Sequence, residues 1–209
     1  MNAQTKESQS LISPEGAVSL LKEGNTRFRE NKKAERDLML QVAQTVGGQY
    51  PFATILSCID SRVSAELIFD QGVGDIFSAR VAGNIVNEDL LGSMEFACKL
   101  AGTRVIVVLG HTSCGAVKGA CDDAKLGNLT ALVSKIKPAV SAVTQPEDPQ
   151  MRNSKNLDFV DRVAEMNVNL TLEDIRQKSP VLKEMEDNGE IQIVGAMYDI
   201  NSGEVTFMD

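Results

Sequence analysis

Arg104-Val105-Ile106-Val107-Val108-Leu109-Gly110-His111 is the stretch that decides the fold. Its apolar residues run without polar alternation and are mostly β-branched, which favours extended backbone. A short run of this kind suits a strand buried on both faces of a parallel sheet, and it is far too short to cross a membrane. A second run, Phe52-Ala53-Thr54-Ile55-Leu56, has the same character and leads directly to Cys58. Both runs therefore end at residues capable of binding a metal.

Working outward, strand and helix patterns alternate. Ser13-Pro14-Glu15 reads as an N-cap with proline in the first turn of a helix over about 14–31. Residues 32–48 are mixed. Ser64 can cap a short helix through Phe69, and Asp75 to Val81 reads as a strand. Helical periodicity returns over 87–100, 115–124, 128–143 and 159–176, and Ser179-Pro180 starts one more helix that Gly189 closes. A strand over 191–200 turns at Asn201-Ser202-Gly203 into a last strand ending at Phe207. This order predicts an α/β fold with a mostly parallel central sheet, an antiparallel edge strand and helices on its faces. No repeat and no long linker divides the chain, so 1–209 reads as one domain with an N-terminal helical arm at about 14–31.

Open α/β sheets bind ligands beyond the carboxyl ends of their strands. That is where Cys58-Ile59-Asp60-Ser61-Arg62 and Gly110-His111-Thr112-Ser113-Cys114-Gly115 fall, and His111 is the single histidine of the chain. Two thiolates and one imidazole match the donor count of a catalytic zinc that leaves its fourth position to water. Such a donor set makes the site formally neutral, and a bound water would ionise far more readily than bulk water. Asp60 has two possible roles: to accept a hydrogen bond from zinc-bound hydroxide, or to close the site as a fourth ligand. Arg62 beside it can hold the carboxylate bidentately and keep it ionised. Cys98 and Cys121 read as small buried hydrophobes.

The remaining composition excludes more than it assigns. The formal charge of −8 over 209 residues argues against nucleic acid, which rewards a basic face. The first residues carry no apolar run of the secretory type, so a soluble, cytoplasmic protein without membrane partners is expected.

At these residues the chain resembles the β-class carbonic anhydrases, whose pattern is Cys-x-Asp-x-Arg followed by His-x-x-Cys. Cys58, Asp60, Arg62, His111 and Cys114 match it, and the resemblance continues through Ala82-Gly83-Asn84 and Ile193-Val194-Gly195-Ala196. It implies Zn2+ held by Cys58, His111 and Cys114, reversible hydration of CO2 to bicarbonate by zinc-bound hydroxide, and Asp60 and Arg62 as the catalytic pair. It also implies a substrate pocket involving Gln49, Phe77, Phe96 and Gly115, partly supplied across a dimer interface. The expected assembly is a homodimer or a higher homo-oligomer, with the N-terminal helix packed on a neighbour. Members with an inhibitory bicarbonate site carry a tryptophan where this chain has Ile55; the chain has no tryptophan, which implies the permanently open subgroup. Two other readings fit the same residues: hydrolysis of CS2 or COS, which are linear isosteres of CO2, and non-catalytic zinc or redox sensing.

Overall fold

The computed structural model describes residues 1–208. In chain order its elements are α1 (Lys6–Ser10), α2 (Pro14–Arg29), α3 (Leu38–Thr45), β1 (Ala53–Ser57), α4 (Ala65–Ile68), β2 (Ile76–Arg80), α5 (Glu88–Glu95), β3 (Val105–His111), α6 (Gly115–Cys121), α7 (Gly127–Ser134), α8 (Lys137–Ala142), α9 (Leu157–Lys178), α10 (Pro180–Asp187), β4 (Gln192–Tyr198) and β5 (Val205–Phe207). The strands form one sheet in the order β2-β1-β3-β4-β5. The first four are parallel and β5 runs antiparallel to β4. This is the mostly parallel α/β sheet with an antiparallel edge that the strand order predicts.

The two apolar runs take the inner positions β1 and β3, and every residue of both is buried. Their side chains alternate between the two faces. On one face, Ile55, Val105, Val107 and Leu109 pack with Ala17 and Leu21 of α2 and with Ile68 of α4. On the other, Leu56, Ile106 and Val108 meet Met94 of α5, Val168, Leu172 and Ile175 of α9, and Leu182 of α10. A third cluster lies beyond the strands' carboxyl ends and joins Cys58 and Cys114 to Val117, Ile136, Phe159, Val160 and Val163.

Several elements differ from the sequence reading. The mixed stretch 32–48 contains α3, capped by Asp37. Its residues Leu38, Met39, Leu40 and Val42 are exposed, while Gln41 is buried. Gln41 accepts from the Val73 amide and donates to the Met1 carbonyl. α1 is a five-residue helix closed by a capping box between Thr5 and Ser8. The stretch 128–143 breaks into α7 and α8, where Pro138 opens a new first turn instead of continuing the old helix. α5 runs into a π-helical turn over Phe96–Leu100. Among the described residues no helix is long and apolar enough to cross a membrane.

One buried ionic cluster ties α2 and the segment that follows it to the loop between α4 and β2. Asp70, whose side chain is 4% exposed, accepts from Arg27 Nε and Arg36 Nη1, both at 2.6 Å, and from the Ala34 amide at 3.1 Å. Burial alone would raise its pKa, but Arg27, the Ala34 amide and Arg36 outweigh burial and hold the carboxyl below its ordinary value. Its stabilisation is therefore complete above the ordinary aspartate range and is lost as pH falls through the lowered folded value. Asp70→Ala strands the buried Arg36 guanidinium, and a loss of about 3–5 kcal/mol is expected in urea unfolding at neutral pH. The difference from wild type should shrink on acidification.

Candidate metal centre

The register of the two inner strands builds the centre. Ser57 lies opposite Leu109, so Cys58 leaves the sheet level with Gly110, one strand spacing away, and His111 is the next residue. Beyond His111 the chain turns sharply. Thr112 donates its amide to the Tyr198 carbonyl at 3.0 Å. Ser113, at φ 56, donates its amide to Asp161 Oδ1 at 2.7 Å. Cys114 then takes the N-cap position of α6 without spending its side chain on the cap. One donor atom from each of Cys58, His111 and Cys114 lies within 4.8 Å of the other two, and all three residues are buried. The two sulfurs are 3.9 Å apart.

These donors suit a metal ion on three counts. His111 Nδ1 lies 2.9 Å from the Thr112 carbonyl. A carbonyl can only accept, so Nδ1 carries the proton and Nε2 is left as a bare donor atom. That Nε2 is buried and has no hydrogen-bond partner among the described residues, a situation that costs free energy unless a cation meets it. The thiols form a coupled pair. Cys58 is drawn below its ordinary value, first by the hydrogen bond from Cys114 and, against the opposing effect of burial, by the Gly83 amide. Cys114 is pushed up by its hydrogen bond to Cys58, by burial and by the Cys58 charge. These opposite directions mean that the two thiols do not readily ionise together, and a divalent cation would supply what a second thiolate needs. Two sulfurs and one imidazole nitrogen favour a borderline-soft ion over Mg2+ or Ca2+.

An ionised carboxylate faces this cluster. Asp60 Oδ2 is 4.0 Å from His111 Nε2. Arg62 grips both Asp60 oxygens, with Nη2 to Oδ2 at 2.7 Å and Nε to Oδ1 at 2.9 Å, and its own amide reaches Oδ1 at 3.0 Å. The Arg62 side chain chiefly, with its amide adding, holds the Asp60 carboxyl well below the usual range against the effect of burial. Arg80, at the end of β2, donates to the carbonyls of Cys58 at 3.0 Å and Asp60 at 2.7 Å, fixing the loop that carries both.

The sequence matches the carbonic anhydrase family over residues 53–205. Carbonic anhydrase 2 of Mycobacterium tuberculosis is 35% identical over 202 residues, which cover 94% of this chain and 93% of that one. This chain belongs to the β-class carbonic anhydrase family. A β-carbonic anhydrase structure from the fungal pathogen Aspergillus fumigatus is similar, with a TM-score of 0.69, 26% identity and coverage of 93% of this chain and 90% of that one. A tetrameric β-carbonic anhydrase from Sordaria macrospora shares the fold at the same TM-score of 0.69, with 24% identity over 80% of this chain and 85% of that one.

Within one β-carbonic anhydrase chain the structure gathers Cys58, His111, Cys114, Asp60 and Arg62 but not the whole pocket set. Phe77 pairs with Thr54 in the sheet, four positions short of Cys58, or about 13 Å along the strand. Phe77 and Phe96 meet edge to face with ring centroids 6.3 Å apart, in a groove shared with Leu90 and Ser93. Gln49 is exposed ahead of β1. Gly115 stands at the start of α6 with open space where a Cβ would be. α2 buries Ala17 and Leu21 against the sheet of its own chain.

Sequence reasoning missed Arg80, Asp161 and Asn167, and it met Gly83 only within the matching stretch Ala82-Gly83-Asn84, without a role. Gly83 donates its amide to Cys58 Sγ at 3.4 Å, and Asn167 Nδ2 donates to the Gly83 carbonyl at 2.8 Å. Of the three missed residues only Arg80 carried a usable signal, since it ends a strand at the same end of the sheet as the donors. Metal analysis of the purified protein should find about one transition-metal ion per chain, and far less in Cys58→Ala, His111→Ala and Cys114→Ala. Full occupancy in His111→Ala would overturn the assignment.

Proposed function

We propose that this protein is a zinc-dependent carbonic anhydrase that interconverts CO2 and bicarbonate, acting as one domain over 1–209 and as a homodimer or higher homo-oligomer. The observation that carries the proposal is the Asp60 carboxylate, held ionised by Arg62 and aimed at the same space as the unpartnered His111 Nε2. Cys58, His111 and Cys114 would hold the zinc, which supplies the Lewis acidity that makes water a nucleophile near neutral pH.

Asp60 Oδ2 accepts the hydrogen bond of that nucleophile and sets its orientation. Three donors from Arg62 occupy the carboxylate, so Asp60 stays an acceptor and does not swing in as a fourth donor. The same pairing, with Ile55 in place of a tryptophan, supports a site without bicarbonate shut-off. Ile85, Val117 and Ile136 are buried in one apolar cluster with the cysteines, surroundings that suit a small apolar linear substrate and strengthen polar contacts made there. Gln49, Phe77, Phe96 and Gly115 complete the pocket in this reading, with part of it delivered by a second copy. The exposed apolar residues Leu38, Met39, Leu40 and Val42 on α3 support such association.

Proton removal has no imidazole to use. His111 is the sole histidine, and its Nδ1 proton is committed to the Thr112 carbonyl. External buffer takes the proton, so kcat should climb with imidazole-type buffer at fixed ionic strength while kcat/KM barely changes. Saturation already at a few millimolar (an order-of-magnitude threshold) would reveal an internal relay.

Stopped-flow CO2 hydration tests the whole reading. Asp60→Asn should keep its zinc and lose activity by about 100-fold, because a neutral amide is a poorer acceptor for the nucleophile. Wild-type turnover in that variant, or sulfide release from CS2 or COS outpacing CO2 hydration, would reject it.

A further inference from the structure

Cys58 and the His111–Cys114 turn reach the centre from different strands, and one polar side chain ties each of them to the same helix. Asn167 of α9, only 3% exposed, donates from Nδ2 to the Gly83 carbonyl at 2.8 Å. Gly83 is held at φ 73, and its N–H points at Cys58 Sγ at 3.4 Å. A side chain at this position would enter the left-handed region and approach Ile136 Cδ1 to 2.5 Å, so glycine lets the amide reach the sulfur. Six residues earlier, about 9 Å along the helix axis, Asp161 Oδ1 accepts the Ser113 amide at 2.7 Å. Ser113 sits at φ 56 immediately before Cys114, a conformation that a residue with a Cβ rarely adopts. Such backbone persists only where its surroundings over-determine it. A carboxylate on an amide is a strong way to do so.

Between the two tethers, α9 is anchored by Val163 and Ala164 in the cluster around the cysteines, and one residue past Asn167 it is anchored by Val168 in the core against the sheet. The helix cannot shift at one tether without moving the other. We infer that α9 is the template that sets the spacing between the two donor segments, with Asn167 and Asp161 as positioning residues for Cys58 and for the His111–Cys114 turn. Neither residue contacts the reacting atoms. Asn167 fixes the peptide that donates to Cys58 Sγ, and Asp161 fixes the turn that delivers Cys114. The inference rests on the reading of Cys58, His111 and Cys114 as a metal site.

Cobalt(II) is a suitable probe because its thiolate charge-transfer absorption reports donor geometry independently of turnover. Cobalt-loaded Asp161→Ala and Asn167→Asp should lose the metal to a chelator about 10- to 100-fold faster than wild type and should shift that absorption. Asp161→Asn keeps an oxygen acceptor for the Ser113 amide and should retain the wild-type rate and spectrum. Leu172→Ala, which removes packing from α9 but no tether, should lower the urea midpoint and leave both readouts unchanged. The inference fails if Asp161→Ala and Asn167→Asp match wild type, or if Leu172→Ala releases cobalt equally fast. Should Asn167→Asp not fold, the contrast between Asp161→Ala and Asp161→Asn decides, since Asp161 is only partly buried. A wild-type protein that takes up no cobalt would defeat the metal reading itself, a failure seen before any variant is made.

Discussion

The parallel register between β1 and β3 is the constraint on which the rest depends. With Ser57 opposite Leu109, Cys58 and His111 emerge within reach of one another, and a single turn then suffices to bring in Cys114. A slip of one residue would turn every side chain of a strand to the opposite face and separate the donors at the same time. Burial on both faces specifies that register, because β1 and β3 offer no polar side to solvent. The apolar core and the cluster of three donors are thus products of the same alignment.

Charge explains why the centre is built as two separate layers. The donor atoms lie in an apolar cluster with Val117, Ile136 and Phe159, where unpaired charge is costly. Two thiolates and a neutral imidazole would cancel a divalent ion, so an inner layer holding one would close without residual charge. Asp60 stands on the solvent side of that layer, and its negative charge is matched by Arg62, whose side chain is 53% exposed. Arg62 keeps part of its hydration while it fixes the carboxylate. An exposed ion pair of this type adds little to stability, and its contribution here is to orientation.

Much of this was legible from residues 52–62 and 104–115. Unbroken apolar runs announced the inner strands, and donors at their ends announced the site. The spacing of Asp60 and Arg62 is local, so the pair could be read directly. α3 could not, because Leu38, Met39 and Leu40 are consecutive and leave no helical stripe, and its one buried residue is the polar Gln41. Pro138 hid a helix start inside a longer periodic pattern. Arg80, Asp161 and Asn167 act on backbone groups far away in sequence, and no spacing rule registers such contacts. Gln49, Phe77 and Phe96 were drawn from resemblance to a family, and a single chain leaves them apart from the donors.

The path of the chain through the centre bears on how it is made. All three donors have been synthesised once residue 114 is added, yet the turn that presents two of them leans on Asp161 of α9 and on the Tyr198 carbonyl of β4. A nascent chain emerging from the ribosome therefore holds the full donor set long before it holds their stereochemistry. Until those contacts form, nothing enforces the geometry of its thiols. Whatever stereochemical preference the three donors have is therefore a property of the finished polypeptide, complete only when α9 and β4 are in place.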